Sequence, residues 1–274
     1  MVSSSLRRPI LRWYGGKWRL APWIISHFPR HRVYVEPFGG AASVLLRKVR
    51  SHVEIYNDLD GEVVNLFRVL RSKPKVAKLI VDLKLTPLSR HEFVAAYMPA
   101  RSQYTRAINL IKRSFLGFGA ITGGRKTGFK TRFNKSSPSP TGDWLNYPDA
   151  LLHSAERLMG VVIEERPAHQ VISDHDSAET LFYCDPPYVL SSRTKKEKIY
   201  ALEMTDADHE RLAVLLKKVK GHVVLSGYRT KLYDRLYEGW KRFERRAMAL
   251  NQKETTECLW IKPRKNKELD LFDA

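Results

Sequence analysis

The chain has 274 residues, 43% hydrophobic and 28% charged, which excludes a disordered or collagen-like polymer and suffices for one large domain or a core with an insertion. Its 48 Lys and Arg against 29 Asp and Glu give a net charge of +19, a field that favours polyanions: nucleic acid first, acidic membrane surfaces or ribosomes second. Cys184 and Cys258 make neither a disulfide framework nor a four-thiolate zinc site, no apolar run reaches the ~20 residues of a membrane span, and the start lacks the apolar segment of a signal peptide, so a reduced, cytoplasmic protein is expected.

In chain order, Arg12-Trp13-Tyr14-Gly15-Gly16-Lys17 first sets aromatics and a cation around a flexible glycine pair. Read alone, Trp13 is a core anchor and Lys17 a solvated charge. Val33-Tyr34-Val35 is a β-prone run that stops at Glu36-Pro37-Phe38-Gly39-Gly40, where proline and paired glycines demand a loop. Ser43 to Lys48 restarts as helix, and Val53 to Tyr56 repeats the strand signal. From Glu62, Val63, Leu66, Phe67 and Leu70 follow the spacing of one helical face. Strand and helix in alternation predict a parallel sheet.

Between about Pro74 and Tyr147 the pattern turns helical, including Thr105 to Phe115, and passes into a loop dense in Gly, Ser, Pro and basic residues through Gly142. From Phe93 to Gly142 there are nine Lys and Arg and no acid, so positive charge is concentrated there. The β/α pattern resumes with Val161 to Ile163, Thr180 to Cys184 and a helix from Asp206 to about Lys220, for which Thr205 and Asp208 form a capping box. His222 to Ser226, Phe243 to Leu250 and Cys258 to Lys262 are further strand candidates, and the Lys-rich tail after Pro263 is expected to fray. The division expected is 1–72 and 149–274 for the two parts of a catalytic domain and 73–148 for an inserted, mainly helical module.

The sharpest chemical signal is Leu181-Phe182-Tyr183-Cys184-Asp185-Pro186-Pro187-Tyr188. An apolar strand delivers a carboxylate to its C-terminal end, and two prolines fix the backbone so that one carbonyl points outward. Two convergent acceptors suit an amine with two hydrogens to donate, and Tyr188 offers a face for a flat ring. In Glu36-Pro37-Phe38-Gly39-Gly40-Ala41 the glycines let the backbone approach a ligand, and Asp58 follows 19 residues after Gly39, the reach of an acid that binds ribose hydroxyls. A nucleoside-bearing cofactor is implied, but G-x-G-x-x-G is not matched, which disfavours a nicotinamide enzyme. Cys184, His209 and Trp260 read as structural, and nothing supports a metal site or a Ser-His-Asp triad.

With these motifs in the order Trp13 to Lys17, Glu36 to Gly40, Asn57-Asp58, Asp185 to Tyr188, Thr205 to His209, Leu225 to Tyr228 and Thr256 to Trp260, the chain resembles the Dam-type DNA adenine-N6 methyltransferases of bacteriophages and restriction systems, over nearly its whole length. The resemblance implies an α/β, Rossmann-like methyltransferase sheet with helices on both faces and an inserted target-recognition domain. It implies S-adenosylmethionine as cofactor, held by Trp13, Lys17, Phe38, Gly39, Gly40, Ala41, Asp58 and Asp185, and a flipped-out adenine of double-stranded DNA as acceptor. Asp185, the Pro186 carbonyl and Tyr188 then carry catalysis, and Arg113, Arg125, Lys126, Lys130, Arg132 and Asn134 are the candidate DNA contacts. Two departures stand out: Ala42 replaces a usual glycine, and Arg166-Pro167 lies where an acid commonly approaches the cofactor adenine. A monomer suffices, because each chain carries a whole site. The alternatives are a silent DNA-binding protein that keeps the fold and, within the class, a cytosine-N4 or RNA adenine methyltransferase.

Overall fold

The computed structural model describes residues 6, 8–121, 126–130, 140–189, 203–248 and 254–263. Seven strands form one sheet in the order β3-β2-β1-β4-β5-β7-β6. They are β1 (Val33–Glu36), β2 (Val53–Asn57), β3 (Val162–Glu164), β4 (Thr180–Cys184), β5 (His222–Tyr228), β6 (Lys241–Met248) and β7 (Glu254–Ile261). The first five run parallel, while β7 is antiparallel to both β5 and β6. This closing hairpin is the main addition to the parallel sheet expected from the sequence.

Strands covered on both sides need apolar residues in both alternating registers. In β4, Leu181 and Tyr183 enter one core and Phe182 and Cys184 the other. On the first face lie α1 (Ala21–Ile25), α2 (Ser43–Arg47) and α3 (Gly61–Leu70). The helices between α3 and β3 extend the same core: α4 (Lys73–Leu85), α5 (Arg90–Ala95), α6 (Gln103–Leu116), α7 (Pro140–Leu145) and α8 (Tyr147–Leu158). The second face is covered by α9 (Ala168–Asp174), α10 (Asp206–Lys218) and α11 (Lys231–Leu236). Thr205 and Asp208 form the reciprocal cap that starts α10. No helix among the described residues is long and apolar enough to cross a membrane.

The chain order reverses beside β1, which has β2 on one side and β4 on the other. Ligands of open α/β sheets gather in the crevice beyond the strand ends at such a reversal. A buried ion network braces this region from behind. Glu54 of β2 accepts from Lys48 Nζ at 2.6 Å and from both terminal nitrogens of Arg157 in α8 at 2.6 and 2.9 Å. Arg157 also donates to the Leu45 carbonyl of α2 at 2.7 Å, so one side chain joins helix to strand.

Candidate active site

A cavity of about 710 Å³ opens at the reversal, within the range of small-ligand sites. Trp13, Lys17, Phe38, Gly39, Gly40, Ala41, Asp58 and Asp185, the full set expected to hold a cofactor, line it. The loop after β1 is pinned to the end of β2: Gly40 N–H donates to Asp58 at 2.7 Å, Gly39 N–H to the Asn57 carbonyl at 2.8 Å, and Tyr56 hydroxyl to the Gly40 carbonyl at 2.7 Å. The glycines have a cause the sequence did not display. A Cβ on Gly39 would lie 2.1 Å from the Tyr56 ring, and one on Gly40, at φ +48°, would lie 3.0 Å from the Trp13 indole nitrogen. Protein rings press on this backbone. Ala42 opens α2 in the left-handed region at φ 52°, which for a residue with a Cβ costs roughly 1–2 kcal/mol and accounts for the glycine common at that place.

Asp185 follows β4. Its Oδ1 accepts from the Ser226 hydroxyl at 2.7 Å, and its Oδ2 lies 3.0 Å from the Lys17 ammonium. Lys17 is 4% exposed; it also donates to the Gly15 carbonyl at 2.6 Å and stands 4.8 Å above the Tyr188 ring. Lys17 therefore belongs to the Asp185 side of the cavity, and its ammonium covers the Tyr188 face read from the sequence as a stacking surface. Tyr188 is buried, with its hydroxyl donating to Glu257 at 2.7 Å and Tyr228 meeting it edge-on. Burial pushes the Glu257 carboxyl up against the pull of Lys17. Among the described residues no donor reaches the Pro186 carbonyl.

Three residues here escaped assignment from sequence. Glu36 is fully buried at the end of β1, accepting from Tyr34 hydroxyl at 2.9 Å and Leu45 N–H at 3.0 Å, and burial pushes its carboxyl up to about 8. Its signal was a carboxylate at the end of an apolar strand. Ser226 and Glu257 sit in strands whose motifs carry no role by themselves, and the clue in β7 is an acid directly before the apolar run Cys258 to Ile261. Asp58 is also raised by burial, opposed by N–H donors from Asp60 and Gly40. Pro167 and Ala168 line the cavity, while the Arg166 guanidinium turns to Glu164 and Asp174.

The segment between α3 and β3 reaches the site through backbone pairing. Tyr14 N–H donates to the Ile121 carbonyl at 2.9 Å and Ile121 N–H to the Arg12 carbonyl at 2.8 Å, while Phe118 N–H pairs back to Gly128. Phe118 is 70% exposed. Of the expected DNA contacts, Lys126 is exposed and Lys130 half-buried, and Arg113 is tied to Glu62 at 3.4 Å. Arg125, Arg132 and Asn134 lie outside the described residues.

The sheet order, with its crevice at the reversal, fits a Rossmann-like methyltransferase fold. Residues 13–253 match the D12 class N6 adenine-specific DNA methyltransferase profile, and the chain belongs to that family. It is 28% identical over 249 residues to a DNA adenine methylase of Vibrio cholerae, covering 85% of this chain and 86% of that one. A DNA adenine methylase of Haemophilus influenzae is 29% identical over 257 residues, 85% of this chain and 84% of its own. The Type II methyltransferase M.MjaIII of Methanocaldococcus jannaschii is 24% identical over 265 residues, 85% and 89% of the two chains.

Proposed function

We propose that this adenine-specific DNA methyltransferase takes its methyl group from S-adenosylmethionine and delivers it to a flipped-out adenine held by Asp185 and the Pro186 carbonyl. The observation that carries the reading is Asp185, oriented by Ser226 and Lys17 at the mouth of a cavity lined by further carboxylates. The donor set fits that cofactor: Glu36, Asp58 and Asp185 oppose a cationic ligand, and Phe38 and Leu59 offer apolar walls to a flat base. When bound, S-adenosylmethionine supplies an electrophilic methyl group on a positively charged sulfur.

The chain's part is to make a poor nucleophile reactive. The lone pair of an adenine amine is delocalised into the ring, and hydrogen bonds from both its hydrogens to Asp185 and the Pro186 carbonyl draw the nitrogen toward tetrahedral geometry. The entering amine shares Asp185 Oδ2 with the Lys17 ammonium or displaces it, and a carboxylate has lone pairs for either arrangement. Tyr188, fixed through Glu257, takes the base against its ring once the ammonium moves aside, offsetting the few kcal/mol that flipping costs. Holding nitrogen and methyl carbon in line contributes up to ~7–11 kcal/mol in well-oriented systems.

In this reading residues 73–148 form the target-recognition domain. Lys126 and Lys130 contact the duplex, Arg125, Arg132 and Asn134 are candidate contacts on sequence alone, and Arg113 is held by its pair with Glu62. The enzyme acts as a monomer in the cytoplasm. Incubation with labelled S-adenosylmethionine and duplex DNA should yield N6-methyladenine, and Asp185→Ala should abolish transfer; full transfer by that variant refutes the mechanism. Nucleoside analysis of DNA and RNA products separates adenine-N6 from cytosine-N4 or RNA methylation. Calorimetry showing DNA binding without cofactor binding would mark a silent DNA-binding protein.

A further inference from the structure

The face of the sheet that bears the site has a second basic margin, on the side away from the insertion. β6 is an edge strand carrying Lys241, Arg242, Arg245 and Arg246. Its register sets Arg245 opposite Glu257 of β7, and Glu257 lies opposite Tyr228 of β5. Directly opposed residues on neighbouring strands project to the same face. Arg245 therefore emerges in the row, and on the face, of the Tyr228 and Glu257 side chains that hold Tyr188. It is exposed, with its guanidinium 5.9 Å above the Trp23 ring of α1. Among the described residues no carboxylate pairs with it, whereas Arg242, on the opposite face, is tied to Asp234 and Glu244.

Three strand spacings separate β6 from β4, about 14 Å, and an extended arginine bridges a good part of that distance. Tyr14, which lines the cavity, pairs with Ile121 of the segment between α3 and β3, so that segment and β6 approach the site region through separate elements. We propose that Arg245 binds a backbone phosphate of the DNA strand carrying the target adenine, making β6 one wall of the DNA groove and the insertion the other. This rests on the reading of Asp185 as the adenine site. A guanidinium on an aromatic platform is held ready for a bidentate phosphate contact, which fixes register without reading sequence.

The test is duplex binding over a salt series for wild type, Arg245→Gln, Arg245→Lys and Arg242→Gln, with cofactor affinity as the check on folding. Arg245→Gln should bind more weakly at low salt and lower the slope of log affinity against log salt by about 0.9, with cofactor affinity unchanged. Arg245→Lys should keep the wild-type slope, since the charge remains, and Arg242→Gln should match wild type. A wild-type slope and affinity in Arg245→Gln would overturn the proposal while leaving the adenine site standing. Failure of the wild type to bind duplex would overturn the DNA reading itself, and this proposal with it.

Discussion

Glu36 should release its proton when the cofactor binds. The ligand-free carboxyl sits at about 8, because burial disfavours its charge, the Tyr34 hydrogen bond only partly opposes this, and Asp185 adds repulsion. At pH 7 about nine in ten molecules then carry the proton. A ligand with a sulfonium and an ammonium group favours the carboxylate, and returning Glu36 to its ordinary range releases ~0.9 proton per cofactor bound. Titration calorimetry at pH 7 in buffers of different ionisation enthalpy reads that number directly, and Glu36→Gln should read zero. Affinity of the wild type should rise up to about tenfold per pH unit below about 8 and level off above it. Stability carries the opposite sign. The folded value lies above the unfolded one, so the contribution of the neutral acid is complete below about 4.5 and is lost as pH rises through about 8. The ceiling on that loss is about 5 kcal/mol, which water entry and relaxation reduce. Glu36→Gln keeps an acceptor for Tyr34 and Leu45, so it should melt near wild type below about pH 4.5 and increasingly above it as the pH rises toward 8. A wild-type binding enthalpy independent of buffer, or the same buffer dependence in Glu36→Gln, would refute the reasoning.

Glu54→Gln should destabilise the protein by roughly 3–5 kcal/mol, because Lys48 and Arg157 stay buried without their carboxylate; an unchanged denaturation midpoint would show the network to be dispensable. Burial raises Glu54, but its bonds from Arg157 and Lys48 win and hold it below the usual range, so its contribution is present above about 4.5 and fades as pH falls through the lower folded value. Gly39→Ala should weaken cofactor binding at least ~10-fold, about 1.4 kcal/mol, as its Cβ drives Tyr56 off the Gly40 carbonyl; Tyr56→Leu in the same chain should restore part of it in a calorimetric titration, and wild-type affinity for Gly39→Ala alone would sink the argument.

The strands could be read because their pattern is local. β4 must satisfy a core on each face and so shows five buried residues in succession, Thr180 through Cys184. α3 and α6 are long enough for their apolar spacing to stand out, with Val63, Phe67 and Leu70 on one and Ala107, Ile111 and Phe115 on the other. α5 at Arg90–Ala95 and α11 at Lys231–Leu236 are shorter than two turns and leave no period to detect, whereas the equally short α2 is signalled by the glycine loop before it. Strand direction was equally hidden. The residues of β7 look alike whether the strand runs with β5 or against it, and only the pairing of Gly227 with Cys258 and Tyr228 with Glu257 settles the sense.

That pairing explains why half of the site was out of sight. Asp185 and the glycines of the β1 loop announce themselves because each motif is contiguous, whereas Glu257 reaches Tyr188 across 69 residues and Ser226 reaches Asp185 across 41. Net charge misleads in the same way. A chain at +19 lines its cavity with Glu36, Asp58, Asp60 and Asp185, the last paired with Lys17, and Arg211 in the same lining is engaged by Asp208. Positive charge over the whole chain draws a polyanion to the surface from a distance. Inside the cavity, over a few ångströms and away from bulk water, local acids weigh more than net charge, which under the proposed function favours a cationic donor. One chain can thus hold a polyanionic acceptor and a cationic donor at adjoining sites, because the two fields act over different ranges.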